Sequence, residues 1–276
     1  MDDQPDHQGQ EAYYTRLESP VEYVPQRVVS LVPSLTEALF DLDLDRRLIA
    51  ITENCVRPAG SVMALPRIGS AQNPDVARII SLQPDLVLAN SQETRPESLE
   101  SLRAAGIPLW VTDPRTVFEV LNLLWNIMDL FDHADMVPRV REIERSYDYT
   151  LAAALAKPPV RAFVPIGRDP WRTFNAETYA HDVLRVCGGE NLFGGQVQRY
   201  PSITLDEVIE AQPDIILLPD EPYPFSETDV AELRTLNIPA AQHGRIHLID
   251  GSLLTWHGTR VAYTLRDLPP LLMGGT

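Results

Sequence analysis

The chain of 276 residues has little cysteine and almost no lysine. The two cysteines, Cys55 and Cys187, lie far apart. They make neither a disulfide framework nor a CxxC metal pattern, though one long-range bridge is compatible with the spacing. Lys157 is the single lysine among 23 basic residues, so nearly every cation is a guanidinium. A coding bias produces that pattern; so does selection for the better carboxylate and phosphate fork. Positive charge is scarce altogether: 39 acidic residues against 23 basic ones leave a formal charge of −16. A general nucleic-acid binder needs a basic stripe, and this chain has none to offer. The same balance argues against docking on anionic lipid. Long hydrophobic runs are missing too, and none approaches the ~18 residues of a membrane span. Residues 1–20 hold no basic n-region, apolar h-region or small-residue cleavage site. As it stands the sequence reads as soluble and cytoplasmic; removal of a signal peptide would make it periplasmic.

Catalytic signatures are absent as well. No GxGxxG follows the first strand, and no GxxxxGK[ST], GxSxG or HExxH occurs. Of the other histidines, His133, His181, His243 and His247 form no HxH pattern.

What is present is an alternation of short strands and helices. Arg27–Val32 is an apolar strand, followed by a helix with Ser34 and Glu37 at capping-box spacing. Strands follow at Leu48–Thr52, Asp85–Ala89 and Ile107–Val111, with helices starting at Asn73-Pro-Asp75 and Glu97. Two amphipathic helices occupy the middle, Thr116–Phe131 and Asp135–Ala156. The alternation then restarts, with strands at Val160–Val164, Asp214–Leu218 and Ile246–Ile249. Helices are expected at Thr178–Cys187, Thr204–Ala211, Val230–Thr235 and Thr259–Leu268, the last stopped by Pro269-Pro270. Asn237-Ile-Pro239 is read as a turn into a strand.

A phrase repeats. Gln83-Pro-Asp85 and Gln212-Pro-Asp214 each precede three aliphatic residues, at an offset of 129. Gly106-Ile-Pro108 and Asn237-Ile-Pro239 repeat at an offset of 131. The fold class expected is α/β: two similar lobes, mostly parallel sheets flanked by helices, joined by one long helix, with a ligand cleft between lobes. The expected boundaries are a loose arm at 1–24, a first lobe at 25–134, a linking helix at 135–157 and a second lobe at 158–276.

Five phrases carry a family resemblance: Arg27-Val-Val-Ser-Leu-Val-Pro-Ser-Leu-Thr-Glu37, Ile79-Ile-Ser-Leu-Gln-Pro-Asp-Leu-Val87, Leu102-Arg-Ala-Ala-Gly-Ile107, Val186-Cys-Gly-Gly-Glu-Asn-Leu-Phe193 and Leu205-Asp-Glu-Val208. Over about residues 26–270 the chain resembles the solute-binding proteins of ABC importers with a helical backbone linker, the vitamin B12 and iron-siderophore class. The resemblance implies a non-catalytic, monomeric binder of a metal chelate (corrinoid, haem-like or iron-siderophore) that needs no cofactor, inserts in no membrane and works with an ABC permease. It implies docking of that permease by one acid per lobe, near Glu97 and Asp206, where a solvated surface carboxylate is the plainer reading. The chain departs from the vitamin B12 branch where aromatic clamps are expected. Asn90 and Ala71 stand at first-lobe positions, and Tyr200 keeps an aromatic in the second. The branch's disulfide partner for Cys187 has no counterpart in Arg260–Thr276.

Loops leaving the C-terminal strand ends are expected to bind the ligand. The first-lobe candidates are Ser34, Asn54, Cys55, Arg57, Asn73, Asn90 and Glu93. The second-lobe candidates are Arg168, Trp171, Tyr200, Trp256 and His257. Arg57 beside Cys55 would favour a thiolate. His257 and Cys55 are the expected metal ligands, His257 as an axial imidazole. Asn54, Asn73 and Asn90 serve equally as turn caps. Two other functions fit the same residues: a cytoplasmic metal or cofactor carrier or sensor, and an enzyme with Cys55 as nucleophile and His257 as base.

Overall fold

The computed structural model describes residues 21–274. Residues 1–20, most of the expected N-terminal arm, lie outside them. The chain divides into two compact units. Of the described residues, the first takes 21–114 together with Trp125–Met136, and the second takes Arg115–Leu124 and 137–274.

The first unit holds β1 (Val28–Ser30), β2 (Leu48–Ile51), β3 (Leu86–Asn90) and β4 (Leu109–Thr112), all parallel in the order β2-β1-β3-β4. Helices α1 (Pro33–Asp41), α2 (Val76–Ser81) and α3 (Pro96–Ala104) connect them. Val29, Leu31, Ala50, Ile79, Val87 and Leu102 form the core, which removes nearly all of their apolar surface from water. Two central helices follow, α4 (Val117–Leu130) and α5 (Val137–Leu155).

The second unit repeats the plan. Strands β5 (Val160–Phe163), β7 (Gly189–Asn191), β9 (Ile215–Pro219) and β10 (Ile246–Ile249) make a parallel sheet in the order β10-β9-β5-β7. Read from its own first strand, each sheet has the order second, first, third, fourth. Between these strands lie β6 (Trp171–Arg172), α6 (Tyr179–Val186), β8 (Ser202–Ile203), α7 (Leu205–Ala211), α8 (Glu227–Leu233) and α9 (Pro239–Gln242). Strands β6 and β8 pair antiparallel. Helices α10 (Ser252–Thr255) and α11 (Val261–Met273) close the chain. Phe163, Val208, Ile216, Leu218, Val230 and Leu233 lie in this core.

The repeated phrase is a joint. Gln83 and Gln212 both turn the chain through positive φ, 49° and 47°, ending α2 and α7. The following proline begins the run into the third strand. The Asp85 carboxylate then accepts the backbone N–H groups of Gln26 and Arg27 at 2.7 and 2.8 Å, at the entry to β1. Arg27 returns the contact, donating to the carbonyls of Leu82 and Gln83 at 2.6 and 3.2 Å. In the second unit Asp214 accepts from the Arg161 N–H at 3.3 Å, and the Arg161 guanidinium donates to the Ala211 carbonyl at 2.6 Å. The arginine thus satisfies helix-end carbonyls that would otherwise be orphaned.

Four expectations change. The expected capping box at Ser34 and Glu37 is not used. Pro33 occupies the first turn of α1, the N-cap is Val32, and Ser34 and Glu37 are both buried. Helix α11 runs through Pro269-Pro270, because Leu268, Pro269 and Leu272 bury into the core and Arg245 donates to the last-turn carbonyls of Leu271 and Leu272. Pro239 opens the short helix α9 where a strand was expected, since proline suits a first helical turn. The helix that changes unit is α4, between Leu124 and Trp125, whereas α5, within the expected linker 135–157, belongs wholly to the second unit and contacts α11 and α6. The start of α4 is held by Asp182 of α6, whose carboxylate accepts the Val117 N–H at 2.8 Å. No helix of the described residues is long and apolar enough to cross a membrane.

Candidate functional site in the strand-end loops

In each unit the parallel strands send their loops out at one end. In the first unit, the loop after β2 carries Asn54, Cys55 and Arg57. It is held from within by Arg67, whose guanidinium donates to the carbonyls of Thr52, Cys55 and Val62 at 2.7, 2.8 and 3.2 Å. Nothing in the sequence around Arg67 marks it for this work. Val56 and Met63 project from the same loop, 55 % and 79 % exposed. Arg57 is half-buried.

Cys55 is fully buried, and its sulfur meets the hydroxyls of Thr36 and Thr52 at 3.1 and 3.2 Å. Burial pushes its pKa up, overriding those hydroxyls and the Arg67 charge. The expected thiolate is therefore corrected to a neutral core thiol. The side chains of Asn54 and Asn90 bond backbone N–H groups. Asn54 Oδ1 accepts the Ala71 N–H at 3.0 Å, and Asn90 Oδ1 accepts the Gln92 N–H at 2.8 Å. Asn73 donates its N–H to Ser70 Oγ at 3.1 Å. Gly69, at φ 82°, lets that loop fold back, because a Cβ there would stand 2.7 Å from the Asn73 carbonyl oxygen. Asn54 and Asn73 are exposed, Glu93 is half-buried, and Ser34 and Asn90 are buried.

In the second unit, Arg168 leaves β5 and is consumed inside the fold. Its guanidinium pairs with Asp229 and Glu232 of α8 and lies 5.3 Å over the Trp171 ring. Burial works against the Asp229 charge, yet the Ser226 donors and Arg168 hold its carboxyl below the usual range. Trp171 is itself buried, stacked on Phe225 at 5.8 Å and 10°, with Tyr223 4.6 Å from Phe225. Trp256 is buried beneath the Arg260 guanidinium, 5.7 Å from its ring centre. Its indole and the Thr255 hydroxyl bond the Glu221 carboxylate, the latter at 3.0 Å. Burial first, then Asp220 and Asp250, raises the Glu221 pKa against those bonds. Gly251 is required beside it, since a Cβ would come within 2.6 Å of Glu221 Cγ.

His257 is buried, and burial lowers its pKa from 6.5 to about 4. Cys55 and His257, the expected metal ligands, are thus core side chains. Among the described residues no three His, Cys, Asp or Glu side chains gather where they could hold a metal ion. The loop after β7 differs from these. Tyr200 is 46 % exposed, with the Arg199 guanidinium 5.7 Å over its ring, and Val197 is 96 % exposed. Glu97 and Asp206 are exposed in the first turns of α3 and α7. Sequence reasoning missed Arg67, Glu221, Asp229, Val56, Met63 and Val197. For the last three, apolar residues set in polar loops were the available signal.

Comparison with known proteins agrees with this geometry. A family model described as periplasmic binding protein matches residues 28–253. The vitamin B12-binding protein of Yersinia pestis (strain Pestoides F) is 30% identical over 194 residues, covering 70% of this chain and 69% of the relative. The structure of the periplasmic vitamin B12 binding protein BtuF of Vibrio cholerae superposes with a TM-score of 0.77 at 20% identity, covering 91% of this chain and 98% of that one. The periplasmic heme-binding protein RhuT from Roseiflexus sp. RS-1 superposes with a TM-score of 0.76 at 24% identity, covering 89% and 97%. These two structures speak for the fold. The family match runs through both sheets and the helices between them, so the chain belongs to the periplasmic binding protein family.

Proposed function

We propose that this protein is a non-catalytic solute-binding protein for a metal chelate, that its preferred ligand is a corrinoid, and that it delivers this ligand to an ABC importer outside the cytoplasm. The observation that carries the reading is the pairing of exposed apolar groups with spent cations on the strand-end loops. Val56 and Met63 in the first unit, and Val197 and Tyr200 in the second, offer apolar and aromatic surface. Arg67 is given to carbonyls, Arg168 to carboxylates, and Arg199 lies on Tyr200. A flat ligand with amide edges suits such loops better than a carboxylate-bearing haem or an anionic siderophore, which would call for guanidinium donors not already engaged within the fold. The relatives named for vitamin B12 and for heme support the chelate class. The metal would stay with its chelator, as the buried Cys55 and His257 supply no reachable ligand atoms. The same burial removes the nucleophile from the Cys55–His257 enzyme reading.

Equilibrium titration with cyanocobalamin, haemin and a ferric siderophore tests the proposal. Saturable cyanocobalamin binding is expected, and Tyr200→Ala should weaken it by about 1–3 kcal/mol if the ring stacks on the ligand. Tight binding of haemin or the siderophore without cyanocobalamin binding would replace the corrinoid assignment, and binding of none would end the chelate reading. We assign permease docking to Glu97 and Asp206. Their exposure on helix first turns supports this, and Glu97→Ala with Asp206→Ala should lower transport without changing ligand affinity. A second reading, a cytoplasmic carrier or sensor, draws on two free cysteines. Fractionation of the native cell separates the two.

A further inference from the structure

The start of β10 carries chemistry that the chelate reading leaves unused. His243 ends α9, Arg245 follows, and His247 is the second residue of β10. With Pro270 and Leu271 of α11 they line one open depression of about 620 Å³. In this parallel sheet, it lies at the opposite strand end from the loops bearing Arg168 and Tyr200. Arg245 is fixed there, because its Nη2 donates to the carbonyls of Leu271 and Leu272 at 3.0 and 2.9 Å. Those bonds also quench the negative pole of the helix end. Within the described residues, Arg245 Nε and Nη1 and both imidazoles make no hydrogen bond.

The charge is unusual for this molecule. The chain carries −16, yet among the described residues no carboxylate lines the depression. A metal ion is disfavoured, since a guanidinium stands between the two histidines in sequence and shares the space. An oxyanion is favoured by the same arrangement. One guanidinium alone saturates a carboxylate through a two-toothed contact. Three separate donor groups fit the three terminal oxygens of a phosphate better. Pro270 and Leu271 add an apolar wall, and the volume is in the range of small-molecule sites.

We propose that this depression binds phosphomonoesters, with His243, Arg245 and His247 on the phosphate and Pro270 and Leu271 against the organic group. The site is independent of the chelate site. The test is calorimetric titration of the full chain with inorganic phosphate, phenyl phosphate and benzoate. Saturable binding of both phosphates is expected, tighter for phenyl phosphate. His243→Asn with His247→Asn should weaken it about tenfold or more, with the thermal midpoint unchanged. Tyr200→Ala should leave it intact. Failure of either phosphate to saturate, benzoate binding as tightly as phenyl phosphate, or an unchanged affinity in the double variant would overturn the proposal.

Discussion

His257 limits the protein in acid. Buried and neutral, it must take up a proton on unfolding whenever the pH is below its ordinary 6.5. Its folded pKa, about 4, is the lower one. The unfolded state therefore binds more protons through that window, and stability falls as pH falls from about 6.5 to 4. The full effect is about 3 kcal/mol. Urea midpoints measured across that range should drop, and His257→Gln should flatten the drop. An identical slope in that variant would move the cause to other groups. Glu221 has the opposite sign. Its raised pKa means that the folded state holds a proton longer than the unfolded chain, so its share of stability declines as pH rises above the ordinary glutamate value. At this scale residue type was legible and burial was not. Ser34, Trp171, Trp256 and His257 have the right chemistry for a binding loop, but only packing puts them beneath the surface.

Among the elements, the Gln-Pro-Asp joint does the same work twice. Each copy ends a helix, starts a strand and ties both to the first strand of its sheet. Removing the acceptor should cost about 1–2 kcal/mol in either unit, by Asp85→Ala or Asp214→Ala. Asp85 accepts two N–H groups at 2.7 and 2.8 Å, whereas Asp214 accepts one at 3.3 Å, so the first substitution should cost more. Chemical denaturation of the two variants checks both the size and the order. The repeat itself was readable as a phrase. Its partner arginines, Arg27 and Arg161, were not, since each acts on a residue 50 or more positions away.

At the level of the whole molecule, each unit holds one fully buried cysteine, and the two are unpaired. Burial raises both thiols, Cys187 to about 12. Native protein should therefore resist a thiol-reactive disulfide reagent at neutral pH, and should release two equivalents in guanidinium chloride. Reductant should leave the thermal midpoint unchanged. Rapid labelling of one thiol in the native state would contradict the burial described for its unit. The high negative charge favours solubility, and among the described residues the depression beside β10 is an exception to it.

Strand–helix alternation, the two-lobe repeat, the family and most element boundaries came from the sequence alone. The reason is that proline, caps and apolar periodicity act over a few neighbouring residues. The misread helix end, at α11, is where a distant partner, Arg245, satisfies the last-turn carbonyls and overrides the local proline signal. Tertiary structure alone decided which polar side chains are spent. Arg168 meets Asp229 across 61 positions, and Arg67 is drawn onto three carbonyls of a preceding loop. Partner choice at that range depends on how sheets and helices pack, which no local pattern records.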